Sequence, residues 1–562
     1  MAVAIAQAHG LPELAARILA GRGVRIDAVE AHLAPTLRNF LPDPAALRDM
    51  DTASARIARA VTEGERIALF ADYDVDGATS SALLLRFLRS VGSDAILYVP
   101  DRVLEGYGPN AAAFGTLAAM GATLVITLDC GISAHEPLIA ARDAGLDVVV
   151  IDHHAAEARL PEALAIVNPN RLDDAAGLGH LAAVGVAFLT VVAVNRGLRR
   201  AGWYADRPEP DLKQWLDLVA LGTVADVVPL AGLNRAFVAQ GLKIMGQRRN
   251  PGIAALADLA GLKEAPAAYH LGFIFGPRVN AGGRVGKADH GARLLSTDDP
   301  VEAAALAALL DQHNAERKMI EAATLESAIA QVEAEGGPLD GRLVVAAGEG
   351  WHPGVIGIVA ARLVERYHRP ACVIGFADGV GKGSGRSVAG IDLGAAVIAA
   401  RQAGLLIAGG GHKMAAGFTI AIGRLKVFTA FMEARFAEAG ARAEPALAID
   451  GALSCGGATV GLAESIERLG PFGSGNAEPR FVLTGARIIQ AEPVGTGHIR
   501  CVVSDAGGGR LKAIAFRAAD GALGQTLMTS RGSPISLAGR LKLDRWNGDT
   551  RVQFQIEDIA RV

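Results

Sequence analysis

The chain is short of several features that would narrow its function. It has four cysteines, Cys130, Cys372, Cys455 and Cys501, and no CxxC pair. That scatter excludes a zinc ribbon and a disulfide framework, and it fits a reducing, cytoplasmic setting. A strong charge of one sign is also missing, since the net charge is -4 over 562 residues. Nucleic-acid binding through bulk positive charge is thereby excluded, and any such binding must use local patches or metal. The longest apolar run, Leu181–Val194 between His180 and Asn195, is too short to span a bilayer easily. It reads as a buried helix, and no membrane association is expected. The start, MAVAIAQAHGLPELAAR, lacks a basic segment and carries Pro12 and Glu13 early, so no secretory leader is expected. Aromatics are only 5% of residues, yet the 51% hydrophobic content supplies several cores, in two to four domains.

What is present is concentrated first in Ile67–Ser80, IALFADYDVDGATS. Ile67 to Phe70 reads as a buried strand. Asp72, Asp74 and Asp76 follow at alternate positions, Gly77 allows a turn, and Ala78–Leu88 reads as a helix. Three close carboxylates at the end of a buried strand repel one another. A divalent cation would hold them together, and oxygen ligands suit Mg²⁺ and Mn²⁺. Taken alone, the stretch is also consistent with a solvated acidic turn.

The surrounding pattern decides between these. From Arg66 onward, strands and helices alternate: Ile67–Phe70, Ala95–Val99, Thr123–Leu128 and Val148–Ile151 as strands, with helices between them. This is the pattern of a doubly wound parallel sheet, whose ligands sit at the carboxyl ends of the strands. Three of these strands end in acids or histidines: Asp72–Asp76, Asp129, and Asp152-His153-His154. A later segment, GTVADVVPL, delivers Asp226 between apolar flanks. Asp129 or Asp226 alone could cap a helix or turn, and either histidine alone could be a core residue. Together, carboxylates with one or two imidazoles form an Mn²⁺ or Mg²⁺ set. Five or more ligands suit two metals sharing a carboxylate, which is the arrangement for in-line displacement at phosphorus.

The rest of the chain divides accordingly. Residues 1–60 read as a helical extension that packs or guides DNA, and 61–295 as the catalytic domain. Residues 296–338 form a connecting helix, 339–445 a second α/β domain, and 446–562 an OB-like barrel. Residues 480–562 hold 12 Lys/Arg against 7 Asp/Glu, a locally basic β-rich segment suited to a single strand of nucleic acid.

DYDVDG with the later DHH at 152–154 resembles the DHH phosphoesterase superfamily, and GGGHKMAAG (409–417) resembles its associated second domain. GTVADVVPL, GPRVNAGGR (276–284), WHPGVIGIVAARL (351–363) and PFGSGNAEPRF (471–481) resemble its single-strand-specific DNA exonucleases. The resemblance implies 5′→3′ hydrolysis of single-stranded DNA to mononucleotides, two Mn²⁺ or Mg²⁺ ions, and work in DNA repair and recombination. It also implies as partners a single-strand-binding protein and a helicase; the chain is expected to be a monomer.

Carried over by position, Asp74, Asp76, Asp129, His153 and Asp226 match metal ligands, with Asp129 bridging. Asp72 either binds metal or orients the attacking water. His154 is assigned to the scissile phosphate, or else to a hydrogen bond behind the ligands, and Asp152 supports the histidines. Some relatives carry a further histidine ligand where this chain has Phe70. Arg278, Asn280 and Arg284, read as part of a glycine-rich loop, are expected phosphate grips. So are Ser384, Arg386 and Ser387, and Gly409, Gly410, Gly411, His412 and Lys413. Trp546 and Phe516 are candidate base contacts, although Phe516 reads better as core.

Two rival readings remain: a phosphodiesterase of short oligonucleotides, and a non-catalytic single-strand-binding scaffold. The first lacks the terminal extensions present here, and the second has lost ligands that this chain keeps.

Overall fold

The computed structural model describes residues 1–102, 104–334, 342–438, 446–546 and 549–561. Its first sheet is built from five apolar runs: β1 (Ile67–Ala71), β2 (Ala95–Tyr98), β3 (Leu124–Leu128), β4 (Asp147–Ile151) and β5 (Ala165–Val167). All pairings are parallel, in the order β2-β1-β3-β4-β5. Parallel strands need covering on both faces. Leu69 and Ala71 accordingly pack under helices Val75–Ser90 and Ala183–Arg200, whereas Ala68 and Phe70 point to the opposite layer of Phe114, Leu117 and Leu138. The order reverses direction between β1 and β3, so the ligand crevice opens at their carboxyl ends.

Helix Pro300–Ala334 is a single element of 35 residues, about 50 Å long at 1.5 Å per residue. It buries Ala303, Leu306, Ala307 and Leu310 in the first core and Ala328 and Val332 in that of the second domain. It is therefore a strut between two cores. The second sheet contains β6 (Val344–Glu349), β7 (Ala371–Ala377), β8 (Val380–Arg386), β9 (Ala408–His412) and β10 (Ala415–Ala421). Its order is β6-β7-β8-β10-β9, parallel only between β6 and β7.

The third unit contains β11 (Gly451–Leu453), β12 (Phe481–Val494), β13 (His498–Ser504), β14 (Arg510–Ala515), β15 (Pro534–Trp546) and β16 (Asp549–Arg561). β12 pairs with both β13 and β15, which closes a five-stranded barrel and leaves β11 as an appendage.

The amino-terminal helices do not form one extension. Ile5, Leu11, Ile18, Leu19 and Val29 lie in the barrel's core, with Phe481, Leu537 and Phe554. Met50, Ile57 and Val61 lie instead in the first α/β core. Among the described residues no helix is long and apolar enough to cross a membrane.

Candidate metal centre

Three strands run out of apolar side chains at the same level. Asp72 N donates to Leu128 O (3.1 Å), Asp129 N to Ile151 O (3.0 Å) and Asp152 N to Val167 O (3.2 Å). The ladder thus continues one residue past β1, β3 and β4, and lines up three carboxylates along one edge. Asp129 adopts a left-handed backbone (φ 61), which aspartate tolerates better than most residues.

Helix Val75–Ser90 starts three residues before the Ala78 expected from the sequence. Asp74 is its cap and accepts from Asp76 N (2.9 Å) and Gly77 N (3.1 Å). Gly77 is helical and makes no turn. A Cβ there would stand 2.3 Å from the Asp72 carbonyl oxygen, so glycine allows the helix to lie against the backbone of the acidic loop. Asp76, in the first turn, also accepts from Ala183 N (2.6 Å) and Val184 N (2.9 Å) at the start of the next long helix. Two helix N-termini thereby stabilise its charge. Asp226 sits at the carboxyl end of helix Leu216–Ala225.

These residues converge. His153 Nε2 is 3.2 Å from Asp129 Oδ1, 3.7 Å from Asp226 Oδ2 and 3.8 Å from Asp76 Oδ2. Three overlapping groups have their ligand atoms within 4.8 Å of one another: Asp129-His153-His154, Asp76-His153-Asp226 and Asp72-Asp74-Asp129. Asp129 belongs to two of them, as a shared carboxylate would. Asp72 Oδ1, Asp129 Oδ1 and His153 Nε2 are buried and have no hydrogen-bond partner. Orphaned buried acceptors are costly, and here all three aim into one space. The donor set of carboxylates and imidazole fits divalent cations.

The electrostatics agree. Burial, and then mutual repulsion, push the carboxyls of Asp72, Asp76 and Asp129 well above the usual range, and Asp226 up to about 7. His153 and His154 differ. Burial, then the neighbouring His154, lowers the pKa of His153, and its Nδ1 donates to Leu181 O at 3.0 Å. Its Nε2 lone pair is therefore free for a cation. Burial is the largest influence on His154 and opposes its charge, but the 2.7 Å hydrogen bond to Asp152 together with the charges of Asp152, Asp226 and Asp72 outweighs it and lifts the pKa to about 9. Asp152 further accepts from Ile132 N, His153 N and His154 N. Phe70, where some relatives carry a ligand, is fully buried and stacks on Tyr98 at 5.4 Å, so it offers nothing to the site.

The expected glycine-rich loop at 276–286 is instead a helix, Gly276–Val285. Its glycines serve close packing. A Cβ on Gly283 would stand 2.7 Å from the Tyr73 carbonyl oxygen, within the acidic loop. Arg278 is held by Asp311 Oδ1 (2.8 Å) and Ile274 O (2.8 Å), and Asn280 Oδ1 accepts from Val75 N (3.1 Å). Asn280 therefore braces the metal loop, whereas Arg278 ties its helix to helix Pro300–Ala334. Arg284 differs: it reaches the second domain through Gly354 O (2.8 Å), where Arg386 bonds Ser384 Oγ (3.2 Å). Arg284 is pushed down to about 10 by burial, then by the charges of Arg102, Arg317 and Arg386. Among the described residues, none of Arg102, Arg284 and Arg386 has a carboxylate partner; Arg102 lies over the Tyr73 ring at 5.1 Å. The charge of Arg102 disfavours the charged forms of both Arg284 and Arg386, and three such cations make a ready anion site.

Arg102, Tyr73 and Tyr107 were not anticipated from the sequence. Tyr107 Oη donates to Asp129 O (3.2 Å), and its ring packs edge-on against His154 at 6.0 Å. Arg102 and Tyr107 follow β2, so the rule that ligands gather after strand ends could have found them. Ser387 is buried and bonds Ile391 O (2.9 Å), whereas Gly409, Gly410, Gly411 and His412 lie on edge strand β9 and Lys413 follows it directly. Phe516 is 51% exposed and packs edge-on against His498, which overturns its reading as core. The side chain of Trp546 lies outside the described residues.

Three family descriptions match the chain: the DHH family N-terminal domain over residues 66–223, the DHHA1 domain over 340–438 and the RecJ OB domain over 449–558. The single-stranded-DNA-specific exonuclease RecJ of Dickeya dadantii is 39% identical, covering 98% of this chain and 96% of the relative. The Escherichia coli protein of that name is 38% identical over the same shares. The crystal structure of Thermus thermophilus RecJ in complex with Mn²⁺ superposes with a TM-score of 0.83 at 31% identity, covering 100% of this chain and 78% of the other. A Mg²⁺ complex of the same protein matches at 0.77, with 30% identity over 100% and 76% of the two chains. With these full-length relatives and three matching domains, the chain belongs to the RecJ family of single-stranded-DNA-specific exonucleases.

Proposed function

We propose that this chain is a metal-dependent exonuclease that degrades single-stranded DNA from the 5′ end, releasing mononucleotides. One observation carries the reading: three buried, unpartnered ligand atoms on Asp72, Asp129 and His153 share one space beside a cluster of unpaired arginines. Arg102 influences Asp72, and Asp74 influences Arg284, so the anionic and cationic walls are within electrostatic reach of each other.

Asp74, Asp76, Asp129, His153 and Asp226, with Asp72, would hold two divalent cations, Mn²⁺ or Mg²⁺. Those cations supply Lewis acidity, which activates water and offsets charge on the phosphate oxygens. The chain's own groups do the rest. His153 stays neutral because Leu181 O takes its Nδ1 proton. His154, kept protonated by Asp152, offers its Nε2–H to a phosphate oxygen. Asp72 orients the attacking water or completes the ligand set. Arg102, Arg284, Arg386 and Ser384 hold the phosphate at the strand's end, and the backbone of Gly410–His412 grips the next stretch. Asn280 keeps the metal loop in place, and Arg278 fixes the helix that carries Asn280 against helix Pro300–Ala334.

The barrel domain, in which 12 Lys/Arg stand against 7 Asp/Glu over residues 480–562, supports binding of a long strand over that of short oligonucleotides. An enzyme restricted to one strand depends on others that separate and protect strands. A helicase and a single-strand-binding protein are the partners this chemistry calls for, and the enzyme works as a monomer in repair and recombination. The four unpaired thiols agree with a cytoplasmic location.

The test is a digest of single-stranded DNA labelled at either end, with Mn²⁺, Mg²⁺ and chelator compared. Mononucleotides should be released first from the 5′ label, and only with metal. Preference for dinucleotides, or degradation in chelator, would overturn the reading.

A further inference from the structure

The segment Leu469–Ala477, which carries PFGSGN, is rooted in the barrel's core through Leu469 and reaches from there into the catalytic domain. Arg235, 1% exposed on helix Gly232–Met245, donates to Leu469 O (2.8 Å) and to Gly470 O (2.5 Å), and through Nε to His32 O (2.8 Å). Asn476, itself buried, ties the segment into a loop by donating to Leu469 O (3.1 Å) and Pro471 O (2.8 Å), and it accepts from Arg22. Leu230 N donates to Ser474 O at 2.8 Å. The barrel's loop thus grips Pro229–Leu230, three and four residues after Asp226.

A second link leaves the same spot. Asn234, fully buried, donates to both Pro229 O (3.0 Å) and His180 O (2.6 Å). The next residue, Leu181, supplies the carbonyl that holds His153 Nδ1 at 3.0 Å. Two of the metal-centre residues, Asp226 and His153, therefore hang from backbone that Asn234 joins and the barrel's loop clamps. No motif chemistry accounts for this: residues 469–477 include no cation, and the two arginines that reach them, buried Arg235 and half-buried Arg22, are held by the loop's carbonyls and by Asn476.

We infer that the Leu469–Ala477 loop and Asn234 are positioning elements of the metal centre, so that docking of the barrel sets the placement of Asp226 and His153. The inference rests on the metal-centre reading above and goes beyond it: the barrel contributes to cation binding as well as to DNA binding. Groups that orient metal ligands from behind are worth about 10–100-fold in affinity or activity.

The test uses the full-length protein and Mn²⁺ alone, titrated by calorimetry. Gly473 is exposed, and a Cβ on it would stand 2.7 Å from Leu230 Cδ1. Gly473→Val and the milder Gly473→Ala therefore press on Leu230 without touching a metal ligand, and Asn234→Ala cuts the second link. Gly461→Ala, on an open helix surface of the barrel domain, is the control. Gly473→Val and Asn234→Ala should bind Mn²⁺ about tenfold more weakly or worse, with Gly473→Ala between them and wild type. kcat should fall in parallel, while affinity for a long single strand in chelator stays within about twofold of wild type. Metal-free thermal unfolding checks that each variant is folded, and where Gly473→Val is not, Gly473→Ala decides. Unchanged Mn²⁺ affinity in the folded Gly473 and Asn234 variants overturns the inference, and so does a loss confined to DNA binding. Absence of Mn²⁺ binding by the wild type would instead overturn the metal-centre reading.

Discussion

Asp129 Oδ1 and His153 Nε2 lie 3.2 Å apart, both buried and neither hydrogen-bonded. Asp129 also sits among Asp72, Asp74 and Asp76, whose charges oppose its own after burial has done so. Stability and activity therefore pull in opposite directions at this position. Asp129→Asn keeps the shape and removes one charge. The metal-free protein should unfold at a higher temperature than wild type, and Mn²⁺ should raise that temperature less. Changes behind a ligand cost about 10–100-fold, so loss of this ligand should lower hydrolysis by more than about a hundredfold, with single-strand binding retained. Thermal unfolding with chelator and with Mn²⁺, alongside a nuclease assay, measures all three. Wild-type cleavage by Asp129→Asn would remove it from the centre.

Burial, and then the charge of Arg102, lowers the pKa of both Arg284 and Arg386, so a bound phosphate relieves a real strain of charge. Hydrogen bonds to charged groups contribute about 1.5–3 kcal/mol each. Arg386→Ala and Arg102→Ala should each raise KM for a 5′-phosphorylated strand by about ten- to a hundredfold. The effect on a strand with a 5′-hydroxyl should be smaller. Equal effects on both strands would place these arginines elsewhere on the substrate path.

Gly283 carries a different kind of evidence. A Cβ there meets backbone, the Tyr73 carbonyl oxygen at 2.7 Å, so nothing flexible can give way. Gly283→Ala should move the Asp72–Asp76 loop away from its helix. Overpacking of this sort costs about 1–3 kcal/mol. Mn²⁺ affinity and kcat should fall together, and unchanged values would show that the loop is set without this helix.

These cases separate what was legible in the sequence from what was not. The acids at 72–76, 129 and 152–154 were legible because each follows an apolar run, and strand direction alone gathers them at one edge. Asp226 came with its apolar flanks. The helix at Gly276–Val285 was hidden because a glycine chosen for close packing looks like one chosen for a turn; Gly77 misled for the same reason. Arg278 and Asn280 then looked like substrate grips, although their partners are Asp311 and Val75 N. Arg102 follows a strand end, but its part in an arginine cluster was hidden, since its neighbours Arg284 and Arg386 are far away in sequence. The split of the first 60 residues was equally invisible, because Leu19 finds its core beside residues more than 400 positions later.

Asp217 offers a pH test away from the metal centre. It is buried near the start of helix Leu216–Ala225, and burial pushes its carboxyl up to about 6. A folded-state value above the unfolded value of 3.8 means that folding favours the protonated form. Its contribution is thus fully present below about pH 4 and is lost as pH rises through 6. A shift of this size corresponds to about 3 kcal/mol. Asp217→Asn keeps the acceptor for Leu218 N and removes the charge. Urea unfolding should show the wild type losing ground to Asp217→Asn between pH 4 and 7, with the two converging in acid. Parallel curves would mean that Asp217 ionises without penalty.

Removal of the barrel tests the architecture. Ile5, Leu11, Ile18 and Leu19 are buried against barrel residues such as Phe481 and Leu537. Each such side chain contributes about 1.5–3 kcal/mol when buried. A chain cut at Leu447 strips their cover and leaves an apolar face at its other end, which favours self-association. It should therefore elute as oligomers or aggregate. Removing residues 1–33 as well should restore a single species, because Met50, Ile57 and Val61 keep their own core. That doubly shortened protein should bind long strands more weakly and lose affinity more steeply with salt than the full chain, since Lys542 and the arginines of β12–β16 are gone. Size-exclusion chromatography with light scattering, followed by binding titrations at several salt concentrations, separates these effects. A monodisperse chain cut only at Leu447 would show that the amino-terminal helices fold without the barrel. Unaltered affinity would take the barrel off the DNA path.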